Sequence, residues 1–234
     1  MIRKFIFLKR KPGLAADDFA ERWKGRHAQA LAGDDAFRAM ARRYVQNRAQ
    51  PAVGDLIPEP LWDGLVEIDV YPEFTAPETI RDNPLNKTVG PHQDDFADHS
   101  RMVQFFAREN VVFDGPARGV KILSLPRRRA GSSPAEFSKH YKEVHGTLVS
   151  RNAAFAEFCN RYVQHHVLPE TVKTSEDFVP YDGISEFWFD SLEHARNAWS
   201  APSYMAELRA DEKNFVGSPP SHRLLVDPLE IPLG

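Results

Sequence analysis

A single cysteine, Cys159, stands among the 234 residues. The chain therefore cannot form an internal disulfide or hold a metal in a thiolate cluster. No apolar run approaches the roughly 20 residues that a membrane-spanning helix needs. Charge of one sign is missing too: 30 Lys and Arg are interspersed with 33 Asp and Glu, for a net charge of −3. That excludes the basic face of a nucleic-acid binder and the polybasic stretch of a membrane-surface protein. A Gly-rich phosphate loop, a dinucleotide fingerprint, a nucleophile elbow and the HExxH zinc motif are all absent. Met1–Lys9 is basic and then apolar, but its apolar run of four residues (Phe5–Leu8) is too short for a signal-peptide core. A soluble, cytoplasmic protein is expected.

What the chain does contain is repetition. Lys11-Pro12-Gly13, Phe19, Trp23, His27 and Arg43-Tyr44-Val45-Gln46 return as Arg129-Ala130-Gly131, Phe137, Tyr141, His145 and Arg161-Tyr162-Val163-Gln164. The offset is 118 (Phe137 against Phe19), and it slips to 119 for Asp63-Gly64, Glu67 and Phe96 against Asp182-Gly183, Glu186 and Phe215. Two long repeats are too few for a solenoid and describe a fused pseudo-dimer. The halves are expected at residues 1–114 and 119–234, joined through Asp114–Gly119.

Each half reads as strand, helix, strand, strand, helix, strand. Ile2–Lys9 and Val120–Leu125 open the halves as strands. Ser133-Pro134-Ala135-Glu136 carries a helix-start signal, with Ser to cap, Pro at the first helical position and Glu to close the box. Ala15 offers no such cap in the first copy. Phe19, Trp23, His27 and Leu31 share one helix face, as do Phe137, Tyr141, Val144, His145 and Leu148. Strands near Arg43–Arg48, Gly64–Tyr71, Arg161–Val167 and Gly183–Asp190 follow. Val66, Ile68 and Val70 oppose Glu67 and Asp69, and Phe187 and Phe189 oppose Glu186 and Trp188. Second helices are expected over Asn83–Asp98, Leu192–Trp199 and Tyr204–Phe215, with last strands near Met102–Phe106 and Leu224–Val226. The order βαββαβ is an α+β, ferredoxin-like unit. Two fused units that cover each other's open sheet face make a pseudo-dimeric α/β barrel.

These elements resemble the EthD-like family of the dimeric α/β-barrel superfamily. The resemblance rests on the Lys-Arg-Lys-Pro-Gly-Leu segment with Phe19, Trp23 and His27, and on its copy with Phe137, Tyr141 and His145. Asp182–Phe189 and Asp211-Glu212-Lys213-Asn214-Phe215 extend it. It implies small, cofactor-free proteins of aromatic or polyketide metabolism, including cyclases, dehydratases and lyases, alongside accessory proteins of oxidative pathways. Some branches of the superfamily bind haem between sheet and helices. Fold does not choose among these; the site must.

His145 and His27 are the leading acid–base candidates, since imidazole in a partly desolvated pocket exchanges protons near neutral pH. The same residues also suit a structural part, tied to a backbone carbonyl at the core edge. Tyr162 and Tyr44, at matching strand positions, can donate to an oxygen that develops charge, or can simply pack. Trp23, Tyr141, Trp188 and His166 are expected to bind substrate, with Trp62 and Phe187 adding to the wall. His165 and His166 point to opposite faces, so only one can share a pocket with Tyr162. Glu67 and Glu186 should face the seam between the halves, with Arg43 and Arg161 as partners. His92, Asp95 and His99 carry metal-ligand types at i, i+3, i+7, but the second copy has Asp211, Asn214 and Gly217 or Ser218 there, and no metal is expected.

The expected function is a cofactor-independent, lyase-type enzyme acting on a hydrophobic, aromatic or polyketide-like small molecule, as a monomeric pseudo-dimer or a homodimer. A binding or accessory protein is the alternative, and a haem- or metal-dependent oxidoreductase the third reading.

Overall fold

The computed structural model describes residues 1–76, 83–84, 93–175, 178–218 and 221–234. Eight strands close into an antiparallel barrel in the order β1-β3-β2-β8-β5-β7-β6-β4. The strands are β1 (Ile2–Leu8), β2 (Ala41–Ala49), β3 (Gly64–Val70) and β4 (Val103–Phe113), then β5 (Val120–Leu125), β6 (Cys159–Val167), β7 (Gly183–Phe189) and β8 (His222–Ile231). Each half contributes a four-stranded ferredoxin-like sheet, and each covers its sheet on the outside with helices. Among the described residues no helix is long and apolar enough to cross a membrane.

The last strand of each half is longer than its apolar residues suggest. β4 pairs with β1 through Val103–Arg108 and with β6 of the other half through Ala107–Phe113. β8 does the same with β5 and β2. The extensions exchange hydrogen bonds between the repeats, which removes all four sheet edges. Their polar residues and Pro228 hide them from a pattern search, because what holds them is backbone pairing across the seam.

Helix α1 runs from Ala16–Arg22 through a π-turn, Trp23–His27, into Ala28–Ala32; α2 is Asp35–Met40. In the second half α3 repeats this as Pro134–His140, the π-turn Tyr141–His145 and Gly146–Arg151, followed by α4 (Ala153–Phe158) and α5 (Leu192–Ser200). Helix α6 begins as a third π-turn, Tyr204–Leu208, and continues through Arg209–Phe215. The capping box on Ser133 and Glu136 forms, whereas Ala15 makes no side-chain cap. Of the helix expected over Asn83–Asp98, residues 85–92 lie outside those described, while residues 93–98 form a turn that bridges to Arg10 through Ala97. Phe19, Trp23, His27 and Leu31 are all buried, and so are Phe137, Tyr141 and His145. Val144, grouped with that face by spacing, is instead 42% exposed: the wider π-turn swings it outward.

The aromatic rings of these π-turns lie directly on the glycines that open β3 and β7. A Cβ at Gly64 would sit 2.3 Å from the Trp23 ring, and one at Gly183 would sit 3.0 Å from the Tyr141 ring. Gly64→Ala should therefore overpack the α1–sheet contact and cost about 1–3 kcal/mol. Gly183→Ala should cost less. Urea unfolding of the two variants measures the difference.

Strand alternation divides the sheet into two environments. Outward residues such as Ile6, Ile68, Phe106, Tyr162 and Phe187 pack under the helices. Inward residues fill the barrel. One end of its interior is apolar, built on Phe5, Phe7, Leu65, Phe105, Leu123 and Ile184. The other end is ionic. Glu67 accepts from Arg3 (3.2 Å), Lys121 (2.6 Å) and Asn47 (3.1 Å). Glu186 accepts from Arg3 (3.3 Å), His165 (3.0 Å) and Trp188 (2.8 Å), with Lys121 at 3.7 Å. Arg3 also pairs with Asp69 and, at 3.6 Å, with Glu109.

Arg3 and Lys121 are repeat equivalents, as are Glu67 and Glu186. Each cation thus bridges both carboxylates, bracing the halves across the seam. Burial opposes ionisation of Glu186, but Lys121, His165 and Arg3 outweigh it and hold the carboxyl well below its usual range. Glu67 and Glu186 face the seam as their strand parity requires, but their expected partners do not reach them. Arg43 pairs with Glu230 and Arg161 with Asp114, because both arginines lie at the barrel rim, where they turn outward.

Candidate active site

The second repeat gathers polar groups between α3, α6 and the outer face of its sheet. The Tyr141 hydroxyl lies 2.5 Å from Ser185 Oγ, which is 3.4 Å from the Tyr162 hydroxyl. Gln164 Nε2 donates to the Tyr162 oxygen at 3.1 Å and to the Tyr141 carbonyl at 2.7 Å. Asn110, from the first repeat, donates to Gln164 Oε1 at 2.9 Å. Gln164 thus ties the π-turn to the sheet and completes a buried chain of hydrogen bonds. Burial raises both phenols, Tyr141 well above its ordinary value and Tyr162 up to about 12. Both stay protonated donors at neutral pH.

His166 shares the outer strand face with Tyr162, and its ring packs 5.0 Å from that of Tyr141. Its Nδ1 lies 2.8 Å from Ser138 Oγ, and its buried Nε2 has no partner among the described residues. Burial, with the charges of His165 and Lys142, lowers it to about 4, so it is neutral at pH 7. His165 points the other way, into the ionic end of the barrel.

His145 ends the π-turn of α3. Its Nδ1 lies 3.0 Å from Asp211 Oδ2, while His140 Nε2 lies 2.8 Å from Asp211 Oδ1. One carboxylate therefore orients two imidazoles. The Phe215 ring, one helical turn beyond Asp211, packs against both, 4.8 Å from His140 and 5.1 Å from His145. Burial works to raise Asp211, but the hydrogen bonds from His145 and His140 prevail and lower it. The side chain of His140 is 26% exposed and that of His145 10%, so the pair lies at the edge of the layer. The spacing of the sequence singled out His145 but not His140. Asp211 entered only within the Asp211–Phe215 segment and as the counterpart of His92 in a set dismissed as metal ligands. The available signal was that His140 and His145 lie five apart, the repeat of a π-turn.

These matched π-turns, each carrying an aromatic ring and a histidine over a sheet, coincide with a known domain. The EthD domain matches residues 11–100 and again residues 129–219. The chain belongs to the EthD domain family. No curated protein matches it. Solved structures share the fold at low identity. A provisionally assigned monooxygenase from Lactobacillus acidophilus NCFM is 10% identical, with a TM-score of 0.53 over 100% of this chain and 96% of the other. A second such protein, from Fusobacterium nucleatum subsp. nucleatum ATCC 25586, is 8% identical, with a TM-score of 0.54 over 97% and 92%. An anthrone oxidase-like protein is also 8% identical, with a TM-score of 0.57 over 98% and 92%.

The two EthD repeats are not equivalent at this site. His27 is buried, its ring edge-on to Phe96 at 5.2 Å. The Tyr44 hydroxyl accepts from Gln46 Nε2 at 2.8 Å, and burial raises it above its ordinary range. By the repeat offset, His140, His166, Ser185 and Asp211 correspond to Arg22, Arg48, Val66 and His92. The first repeat thus has no carboxylate at the Asp211 position, and His92 itself lies outside the described residues. Trp23 packs under its helix, matching Tyr141. Trp188 faces the barrel interior, where its indole donates to Glu186, and Trp62 lies at the apolar end with Tyr181. The aromatic wall expected from sequence is therefore split by the sheet: Trp23, Tyr141 and Phe187 lie outside it, Trp188 and Trp62 inside.

Among the described residues no group of three or more His, Cys, Asp or Glu is arranged to hold a metal ion. A haem does not fit beside His145. The described layer there is filled by Tyr141, Phe137, Phe215 and the Tyr162–Phe187 stack, whose ring centroids are 4.5 Å apart.

Proposed function

We propose that this EthD protein is a cofactor-independent, lyase-type enzyme that moves protons on a hydrophobic, aromatic or polyketide-like small molecule, working from its second repeat. The observation that carries this reading is the Asp211 carboxylate shared by His140 and His145. A carboxylate on Nδ1 fixes the tautomer of His145, leaves Nε2 as the base and stabilises the imidazolium formed when that base takes a proton. His140, on the same carboxylate and more exposed, is placed to return a proton to a leaving oxygen. An elimination or ring closure needs this division of labour between base and acid. Tyr141 and Tyr162 supply protonated donors behind the pair, and Gln164 positions the π-turn that carries His145. The neutral His166 lies in the same layer, with its Nδ1 on Ser138 Oγ. Anthrone, named in one fold neighbour, is an aromatic ketone with an acidic C–H, a substrate class that suits such a base.

The test is turnover of enolisable aromatic ketones and β-hydroxy ketones by wild type, His145→Gln and Asp211→Asn. Removing the base should lower kcat by at least about 100-fold with little change in KM. Asp211→Asn should lower kcat and shift the pH profile. Full kcat in His145→Gln would end the proposal. The binding or accessory reading gains from one feature of the first repeat: a cleft of about 540 Å³ beside Trp23, Gln46 and Leu229, with the charged Glu21, Lys24 and Asp227 also in its lining.

A further inference from the structure

The second half carries a charge outside its sheet that the first half lacks. Ile6 on β1 pairs with Gln104 on β4, and at the matching place Ser124 on β5 pairs with Arg223 on β8. Ile6 belongs to the apolar layer under the first repeat's helices. The second repeat puts a hydroxyl and a guanidinium there instead. The Arg223 guanidinium lies over the Trp199 ring, 4.2 Å from its centre. The side chain is half-buried and makes no ion pair among the described residues. A cation drawn out of water is normally matched by an anion. The ring contact fixes where the guanidinium sits and leaves its N–H donors unclaimed.

Arg223 lines a cleft of about 330 Å³ where the β2–β3 loop of the first repeat meets α6 and β8 of the second, within the range of about 300–1,000 Å³ typical of small-molecule sites. The loop is anchored there, since its Leu56 packs into the second repeat's core. The four charged residues of the lining fall into two sets. Glu212 is satisfied within the protein: it accepts from the Tyr204 hydroxyl at 3.1 Å and pairs with Arg209. Asp55 and Arg223 remain, one anion and one cation, neither in an ion pair among the described residues. Leu56 and Pro58 add an apolar side. A guanidinium takes a carboxylate through two parallel N–H donors, and Asp55 suits an ammonium. We propose that this cleft between the repeats binds one free α-amino acid with a small aliphatic side chain, its carboxylate on Arg223 and its ammonium on Asp55. At the opposite junction Gln104 and Lys173 line the matching cleft, and no carboxylate lines it among the described residues. None of the lining residues belongs to the His140–Asp211–His145 group, so the site does not depend on the chemistry proposed there.

Calorimetry on the full chain tests this with L-leucine, with 4-methylpentanoate, which lacks the ammonium, and with 3-methylbutylamine, which lacks the carboxylate. Wild type should bind one L-leucine per chain and hold each of the other two at least about tenfold more weakly. Arg223→Gln copies the first repeat and should weaken L-leucine binding by a similar factor. Asp55 is exposed, so Asp55→Asn should leave the melting temperature in place while erasing the preference for L-leucine over 4-methylpentanoate. A wild type that binds no L-leucine, or binds it no better than 4-methylpentanoate, would overturn the proposal. So would unchanged binding in either variant.

Discussion

Replacing Lys121 with Met should destabilise the protein by about 3–5 kcal/mol, the usual consequence of removing one member of a buried ion pair. Lys121 is buried and lies 2.6 Å from Glu67 and 3.7 Å from Glu186. Without it, Arg3 would be the one guanidinium or ammonium left, among the described residues, on the buried Glu67, Glu186 and Asp69, with His165 bonded to Glu186. The loss comes from stranding carboxylates and not from forfeiting a favourable contact, so it should be reversible by design. Lys121→Met combined with Glu67→Gln removes one charge of each sign and should recover a large part of the stability. Urea unfolding at pH 7 gives the cycle directly. A single-variant change within about 0.5 kcal/mol, the range of surface substitutions, would show that the brace does not hold the halves together.

The second large effect is a pH dependence. Lys4 sits on the outer face of β1, its ammonium 5.3 Å from the centre of the Phe106 ring. Burial, reinforced by the charge of Lys173, lowers it from 10.5 to about 7. Between those values the unfolded chain binds a proton that the folded chain does not, so stability should rise with pH across that window. The slope for one such proton is about 1.4 kcal/mol per pH unit. From about pH 9 the buried Cys159 thiol, raised to about 12, pulls the other way, and above pH 10 so do the buried tyrosines, because their unfolded forms ionise first. The difference between wild type and Lys4→Met isolates the lysine. Thermal unfolding from pH 6.5 to 9 should show wild type gaining on Lys4→Met at each step. Parallel curves would mean that Lys4 keeps an ordinary affinity for its proton in the fold.

Much of the architecture was readable because the chain states it twice. The repeat set the element order, and the parity of Val66, Glu67 and Ile68 fixed which face meets the helices. The extensions of β4 and β8 were not readable. Residues such as Arg108 and Asp227 carry no strand pattern, and their pairing belongs to the other half of the chain. The ionic end of the barrel was half visible: Glu67 and Glu186 could be placed by parity, but Arg3 and Lys121 could not be matched to them without the strand order. At the candidate site, His145, Tyr141, Tyr162 and His166 are gathered on one layer. Asp211 and His140 completed it only once α6 was seen to pack on α3. Trp188 sits one residue from Phe187, and on a strand that step moves it to the opposite side of the sheet.

The proposed proton transfer takes place at His145, oriented by Asp211, and not at its repeat equivalent His27. The most direct measurement is hydrogen–deuterium exchange at the α-carbon of an enolisable aromatic ketone such as 1-tetralone. It is followed by NMR in D₂O with wild type, His145→Gln and His27→Gln, each first shown to be folded. Wild type and His27→Gln should catalyse the exchange, and His145→Gln should lose it. Exchange that persists in His145→Gln but disappears in His27→Gln would contradict it, as would a wild type that binds the ketone and exchanges nothing.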